Sequence, residues 1–157
     1  MIRVGTGWDL HRLVPDRPLV IGGLTIPSTK GALAHSDGDV LVHALIDAIL
    51  GALAKGDIGS HFPDTDPAYK GADSMELLKT VLQNDLPPYA ITNIDATIIL
   101  QTPRLREHID AIRENLSQAL NLPLEAISVK AKTAEHVLGE LGSGDAISAQ
   151  VSLLISG

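Results

Sequence analysis

Among the six histidines and nineteen acidic residues of this 157-residue chain, Asp9, His11 and His43 stand out as candidate metal ligands. A D-x-H pair at the end of a strand presents one oxygen and one nitrogen to a common point. Two histidines with one carboxylate leave the fourth tetrahedral zinc position open, as in catalytic rather than structural sites. A metal held in this way polarises a phosphoryl oxygen. Glu135, near a glycine-rich turn and beside Lys132 and Thr133, could hold a second, harder cation such as Mg²⁺ between phosphates. His35 and Ser36 precede an apolar helix, whose N-terminal N–H groups and dipole favour an anion. Arg104 and Arg106 open another helix where acidic residues normally stand, which suits an anionic ligand. Each signal also has a plain reading: a hydrogen-bonded core histidine, polar residues on the solvent face of a strand, a serine cap, two solvated arginines.

The elements that must carry these residues follow from periodicity. Residues 1 to 11 alternate, predicting a strand that ends near His11 with Asp9 and His11 on one side. Leu19–Ile21 and Leu24–Ile26 flank Gly22-Gly23 as a hairpin, which Pro27 and Gly31 end. Ser36 or Asp37 caps a helix running to about Lys55. On it His43 and Asp47, four apart, share a face among apolar neighbours, so each needs a partner and Asp47 is placed to orient His43. Residues 56 to 73 read as a long loop, a lid over a ligand. A short helix from Ser74, a strand at 91–100, a helix from about Arg104 to Leu120, and strands at 127–133 and 146–155 complete the chain. The order predicts an α+β fold: a mixed four-stranded sheet with helices packed on one face, plus a small N-terminal hairpin. A single domain spanning 1–157 is expected, and the uncharged run from Ser148 to Ile155 points to a subunit interface.

Composition excludes several classes. With one Trp, one Phe and two Tyr, the core rests on Leu, Ile, Val and Ala, and there is no aromatic platform for nucleic acid. A net charge of −7 without a Lys/Arg run also argues against nucleic acid. No cysteine is present, so any zinc is held by His and carboxylate. No stretch reaches the roughly 18 apolar residues of a membrane span, and no signal peptide is legible. The expectation is a cytoplasmic protein, or a stromal one if a transit peptide has been removed.

Three ordered motifs carry a resemblance: Gly7-Trp8-Asp9-Leu10-His11; Ala34-His35-Ser36-Asp37-Gly38-Asp39 with His43; and Gly56-Asp57-Ile58-Gly59 followed by Phe62-Pro63-Asp64-Thr65-Asp66. The chain resembles the 2-C-methyl-D-erythritol 2,4-cyclodiphosphate synthases of the non-mevalonate isoprenoid pathway from the D-x-H to the last strand. The resemblance implies a homotrimer with active sites between subunits, Zn²⁺ with Mg²⁺ or Mn²⁺ as cofactors, and a small CDP-linked substrate cyclised with release of CMP. By position it implies that Asp9, His11 and His43 are zinc ligands and that His35 and Thr133 stabilise the transition state. Ser36 would contact the 2-phosphate. Asp57, Ile58 and Gly59, with Phe62, Pro63, Asp64, Thr65 and Asp66, would bind the methylerythritol phosphate. Leu100, Pro103, Arg104, Leu105 and Arg106, with Ala131, Lys132, Thr133, Ala134 and Glu135, would form the cytidine and diphosphate pocket, Glu135 reaching the second ion. The chain departs from the family after Glu135. Where many relatives read K-L-G-F-T-G-R-G-E-G, it reads His136 to Asp145 without the Phe and Arg, so the isoprenoid diphosphate site of the threefold axis is not carried over. Ala134 also replaces the last threonine of a common T-T-T run. Two rivals remain: a zinc hydrolase attacking a phosphate ester, and a metal-stabilised trimeric binding protein.

Overall fold

The computed structural model describes residues 1–157. Strand β1 (Ile2–Pro15) is followed by β2 (Leu19–Ile21), β3 (Leu24–Ile26) and β4 (Lys30–Leu33). Helix α1 (Val40–Ala52), a short α2 (Ile58–His61) and α3 (Ser74–Asn84) precede β5 (Ala90–Ile99). Then come α4 (Ile109–Leu120), β6 (Ile127–Lys132), a one-turn α5 (Glu140–Ser143) and β7 (Ala146–Ser156). The main sheet is ordered β4-β1-β7-β5-β6, while β2 and β3 form a separate hairpin. All pairs in the main sheet are antiparallel except β5–β6, which the crossover through α4 makes parallel.

The sheet therefore has five strands, not the four expected. The addition is β4, which pairs Lys30–Leu33 with Arg12–Pro15. Gly31 reads as a breaker, and a four-residue edge strand is too short to show alternation. For the same reason β1 does not end near His11. Its last four residues are held by β4.

Eleven of the thirteen residues of α1 are buried, so the helix is the centre of the core rather than an amphipathic cover. It lies on β1 and β7 through its smallest residues. A Cβ added at Gly5 would stand 1.9 Å from the Ala48 carbonyl oxygen, and one at Gly7 would stand 1.9 Å from that of Ala44. These two strand glycines let the helix and strand backbones meet. The cap of α1 is Asp39, not Ser36 or Asp37. Its wholly buried carboxylate accepts from Val42 N–H (3.1 Å) and from the N–H groups of Gly22 (2.9 Å) and Gly23 (2.7 Å). Both glycines have positive φ, as this tight hairpin requires. One carboxylate thus fastens the hairpin to the start of the helix. Burial pushes its pKa up to about 6 against the pull of those three donors.

The helices pack on one face of the sheet. On the other face β1 exposes Ile2, Val4, Trp8 and Leu10, the first three more than 60% accessible. Leu33, Val137 and Leu138 are also exposed, and none of the large exposed apolar side chains lies on the 148–155 run. There Gln150 and Ser152 face outward, while Val151, Leu153 and Ile155 are buried. No helix is long and apolar enough to cross a membrane.

Candidate metal centre and a second cleft

Alternation along β1 turns Gly5, Gly7, Asp9 and His11 to the helix side. The first two make room for α1, and the next two meet His43 beyond its first turn. Asp9 Oδ2 lies 2.8 Å from His11 Nε2 and 3.0 Å from His43 Nδ1, and the two nitrogens are 3.2 Å apart. Ligands of a tetrahedral zinc, bound at about 2.0–2.1 Å, stand roughly 3.3 Å apart. The three atoms thus fit a divalent metal with little movement, and no other cluster of this kind forms. They line a cleft of about 470 Å³ with His35, Ser36, Ile58, Gly59, Phe62 and Asp64.

Electrostatics agree with the geometry. Burial alone would raise the Asp9 carboxyl, but hydrogen bonds and charge from His11 and His43 reverse this and lower its pKa from 3.8 to about 2. Burial would likewise depress His43, yet the bond to Asp9 and the charges of Asp9, Asp39 and Asp37 hold its pKa above 6.5. Because the folded value of Asp9 lies below the unfolded one, its stabilisation is complete above pH 3.8 and lost as pH falls through about 2. The contribution is on the order of 2 kcal/mol. In metal-free protein, Asp9→Asn is expected to lose this stability at pH 5 and to converge on the wild type as the pH falls below 4. Urea titrations across that range measure the gap, and a constant gap would contradict the assignment.

Asp47 does not orient His43. Its carboxylate accepts from the Ile58 N–H (2.7 Å), bracing the start of α2, and burial raises its pKa. The groups on the far side of His43 are Ser74 Oγ, 2.7 Å from Nε2, and Ser36 Oγ at 3.2 Å. In the sequence Ser74 is only a helix-start residue, because nothing local shows that α3 will dock against α1.

The expected lid is partly regular. Asp57 caps α2, with hydrogen bonds from Ser60 holding its pKa low, and Pro67–Tyr69 forms a 3-10 turn capped by Asp66. Phe62 packs edge-on against Tyr69, their ring centroids 5.4 Å apart. His35 is four residues before the true N-cap, so the helix N-terminus does not explain it. Its Nε2 instead lies 3.3 Å from the Asp66 carbonyl oxygen, and its own carbonyl accepts from Gly71 N–H (2.7 Å). Asp57, Pro63, Thr65 and Asp66 do not line the cleft, whereas Leu33, Ala34, Tyr69 and Leu77 do.

A second cleft, of about 660 Å³, gathers Leu100, Arg104, Leu105, Arg106, Ala131, Lys132, Thr133 and Glu135. Pro103 and Ala134 are not in its lining, while Gln101, Ile109, Asp110 and His136 are. Arg104 and Arg106 lie ahead of α4, whose own first turn carries Asp110. Arg106 opens a 3-10 turn, Arg106–His108, that leads into α4, so neither arginine stands in the first turn of α4 itself, and both line the cleft. Strands β1, β5 and β6 run in the same direction, so both clefts sit at one end of the sheet. They are three strand spacings apart, roughly 14 Å. Within one chain they share no lining residue.

The class so defined is an α+β protein with a mixed sheet and a carboxylate–histidine–histidine group that could hold a divalent metal at the mouth of a cleft. A family model described as the YgbB family matches residues 2–156. Proteins named 2-C-methyl-D-erythritol 2,4-cyclodiphosphate synthase from Burkholderia mallei (strain SAVP1) and Burkholderia pseudomallei (strain K96243) are 54% identical to it, over 98% of this chain and 94% of theirs. Among solved structures, a CDP-bound 2C-methyl-D-erythritol-2,4-cyclodiphosphate synthase superposes with a TM-score of 0.89 at 38% identity, covering 98% of this chain and 100% of that one. The bifunctional IspDF from Campylobacter jejuni gives 0.92 at 40% identity, covering 99% of this chain and 42% of the longer one. The chain belongs to the YgbB family, that of the 2-C-methyl-D-erythritol 2,4-cyclodiphosphate synthases, and is a lyase.

Proposed function

We propose that this enzyme converts 4-diphosphocytidyl-2-C-methyl-D-erythritol 2-phosphate to 2-C-methyl-D-erythritol 2,4-cyclodiphosphate and CMP, within the non-mevalonate isoprenoid pathway. What carries the reading is the convergence of Asp9, His11 and His43 on one point, in a chain 54% identical to synthases of that name. An oxygen of the 2-phosphate bonds to the β-phosphorus, and the bond from that phosphorus to the bridging oxygen breaks. The bridging oxygen and its electron pair leave with CMP. Bound zinc would supply Lewis-acid polarisation of a phosphoryl oxygen, and a second ion, Mg²⁺ or Mn²⁺, charge neutralisation between the phosphates.

The chain's own residues supply orientation and charge. Asp9, His11 and His43 hold the first metal. His35 and Ser36, on the rim of that cleft, reach the 2-phosphate, and Ile58, Gly59, Phe62 and Asp64 enclose the methylerythritol. Arg104, Arg106 and Lys132 offset the charge of the diphosphate, Thr133 donates to it, and Glu135 holds the second ion. Because the two clefts share no wall within one chain, a complete site takes the first cleft from one subunit and the second from its neighbour. The apolar face of β1, with Ile2, Val4, Trp8 and Leu10, supports a homotrimer that buries it.

Phosphorus NMR of the protein with its substrate, with and without a zinc chelator, tests the reaction. CMP and two coupled cyclic diphosphate resonances, abolished by the chelator, are expected. Release of CDP or inorganic phosphate without a cyclic product would instead favour a hydrolase. Replacing Glu135 with Gln is expected to leave zinc content unchanged and to raise the Mg²⁺ concentration needed for half-maximal rate about tenfold or more. An unchanged Mg²⁺ titration would remove Glu135 from that role.

A further inference from the structure

We infer that Ser74 and Asp37 are positioning residues for His43, holding its imidazole with the proton on Nε2 and presenting a bare Nδ1 to the metal. The inference rests on the metal reading of Asp9, His11 and His43 above. Neither residue lines a cleft, so both act through His43.

The direction of the hydrogen bonds carries the argument. Ser74 is fully buried at the start of α3, and its hydroxyl donates to Asp37 Oδ1. An ionised carboxylate can only accept, so the single hydroxyl proton is committed there. Ser74 Oγ then offers a lone pair to His43 Nε2, 2.7 Å away, which makes that nitrogen the donor. The carboxylate is itself fixed: Oδ2 accepts from Ser74 N–H (2.9 Å) and Oδ1 from Asp39 N–H (3.1 Å). The Asp37 N–H donates to the Ala72 carbonyl (3.0 Å), tying the segment before α1 to the segment before α3. Ser36 Oγ, 3.2 Å from Nε2, makes a second, longer contact.

Without metal, a proton on Nδ1 joins His43 to Asp9 Oδ2 at 3.0 Å; once that proton is lost, a neutral His43 with its proton on Nε2 turns a lone pair on Nδ1 toward the carboxylate. Two acceptors then face each other, an arrangement a cation between them relieves. The relay thus fixes both the tautomer and the ring orientation that a nitrogen ligand needs. It also explains why a serine in a buried helix start is spent on a side-chain bond rather than on the cap, which Asp73 supplies through Met75 N–H.

The test uses full-length protein, ¹⁵N-labelled at histidine and loaded with zinc. Long-range ¹H–¹⁵N NMR is expected to show a slowly exchanging proton on His43 Nε2 and none on Nδ1. Ser74→Ala should speed exchange of that proton and weaken zinc binding about 10–100-fold in competition with a chromophoric chelator. Asp37→Asn can present an amide that donates to Ser74 Oγ and turns the hydroxyl proton toward Nε2. It should lose the Nε2–H signal and weaken zinc comparably. Unchanged zinc affinity with the Nε2 proton retained in both variants would overturn the relay while leaving the metal site standing. A proton on Nδ1 in loaded wild type would do the same, and that measurement decides even if Ser74→Ala does not fold. Failure of the wild type to bind zinc would overturn the metal reading and the relay with it.

Discussion

His43→Ala is expected to lose its zinc and at least about 10³-fold of the cyclisation rate, some 4 kcal/mol of transition-state stabilisation, while remaining folded. On the proposed reading the side chain supplies one of three protein ligands, and the remaining two, Asp9 and His11, lie on a single strand and would leave one side of the ion open. Fold retention follows from where the core lies. Leu41, Leu45, Ile46, Ile49 and Leu50 remain fully packed around the same helix. Ser74 keeps its bond to Asp37, so the lost imidazole costs about 1–3 kcal/mol, well within a domain's stability. Metal analysis, the phosphorus NMR assay and circular dichroism read the three expectations separately. A variant that retains zinc and turns over at the wild-type rate would remove His43 from the site, and an unfolded one would make its role structural.

Gly7→Ala is expected to do more damage with a single methyl group placed outside the cleft. Its Cβ would stand 1.9 Å from the Ala44 carbonyl oxygen and 2.8 Å from the Ala48 nitrogen, both backbone atoms of α1 that no rotamer change can move. The helix must shift bodily from the strand. The expected cost is more than about 3 kcal/mol, a fall of at least about 6 °C in Tm for a chain of this length. His43 rides on the same turn as Ala44, while Asp9 is two residues along β1 from Gly7. Separating helix from strand therefore parts the ligands, and zinc affinity falls together with stability. Gly51→Ala provides the control. It lies on the same helix, but the nearest atom to its added Cβ is the Thr6 carbonyl oxygen at 3.7 Å, an ordinary contact. Helix propensity should then make it neutral or stabilising by up to about 1 kcal/mol. Equal effects of the two substitutions in thermal melts would refute the close approach of β1 and α1.

What the sequence makes legible is set by the range of the interactions. Local patterns were legible: the alternation that puts Asp9 and His11 on one side of β1, the Gly22-Gly23 hairpin, and the apolar run of α1. The parallel β5–α4–β6 crossover was legible too. Sequence and structure part where a short element is held by distant partners. β4 is four residues pinned to the end of β1, and the cap of α1 went to Asp39 because a hairpin turn seventeen residues earlier needs the same carboxylate. Asp47 looked like the partner of His43 because they are four apart on one helix. Yet its bond goes to Ile58, and the partner of His43 is Ser74, thirty-one residues away.

The sequence by itself determined the chemistry available to this protein. With no cysteine, a sparse set of histidines and three ordered motifs, residue type and spacing along a strand or helix limit which ligands exist, because both are written in the covalent chain. Only the tertiary structure decided how those groups are used. The approach of α1 to two glycines of β1 sets the distances between Asp9, His11 and His43. The docking of α3 aims a serine at the far side of His43, and the width of the sheet separates the metal cleft from the one that holds Thr133 and Glu135. These depend on backbone contacts and buried hydrogen bonds between segments far apart in the chain, which compete with one another until the whole core has closed.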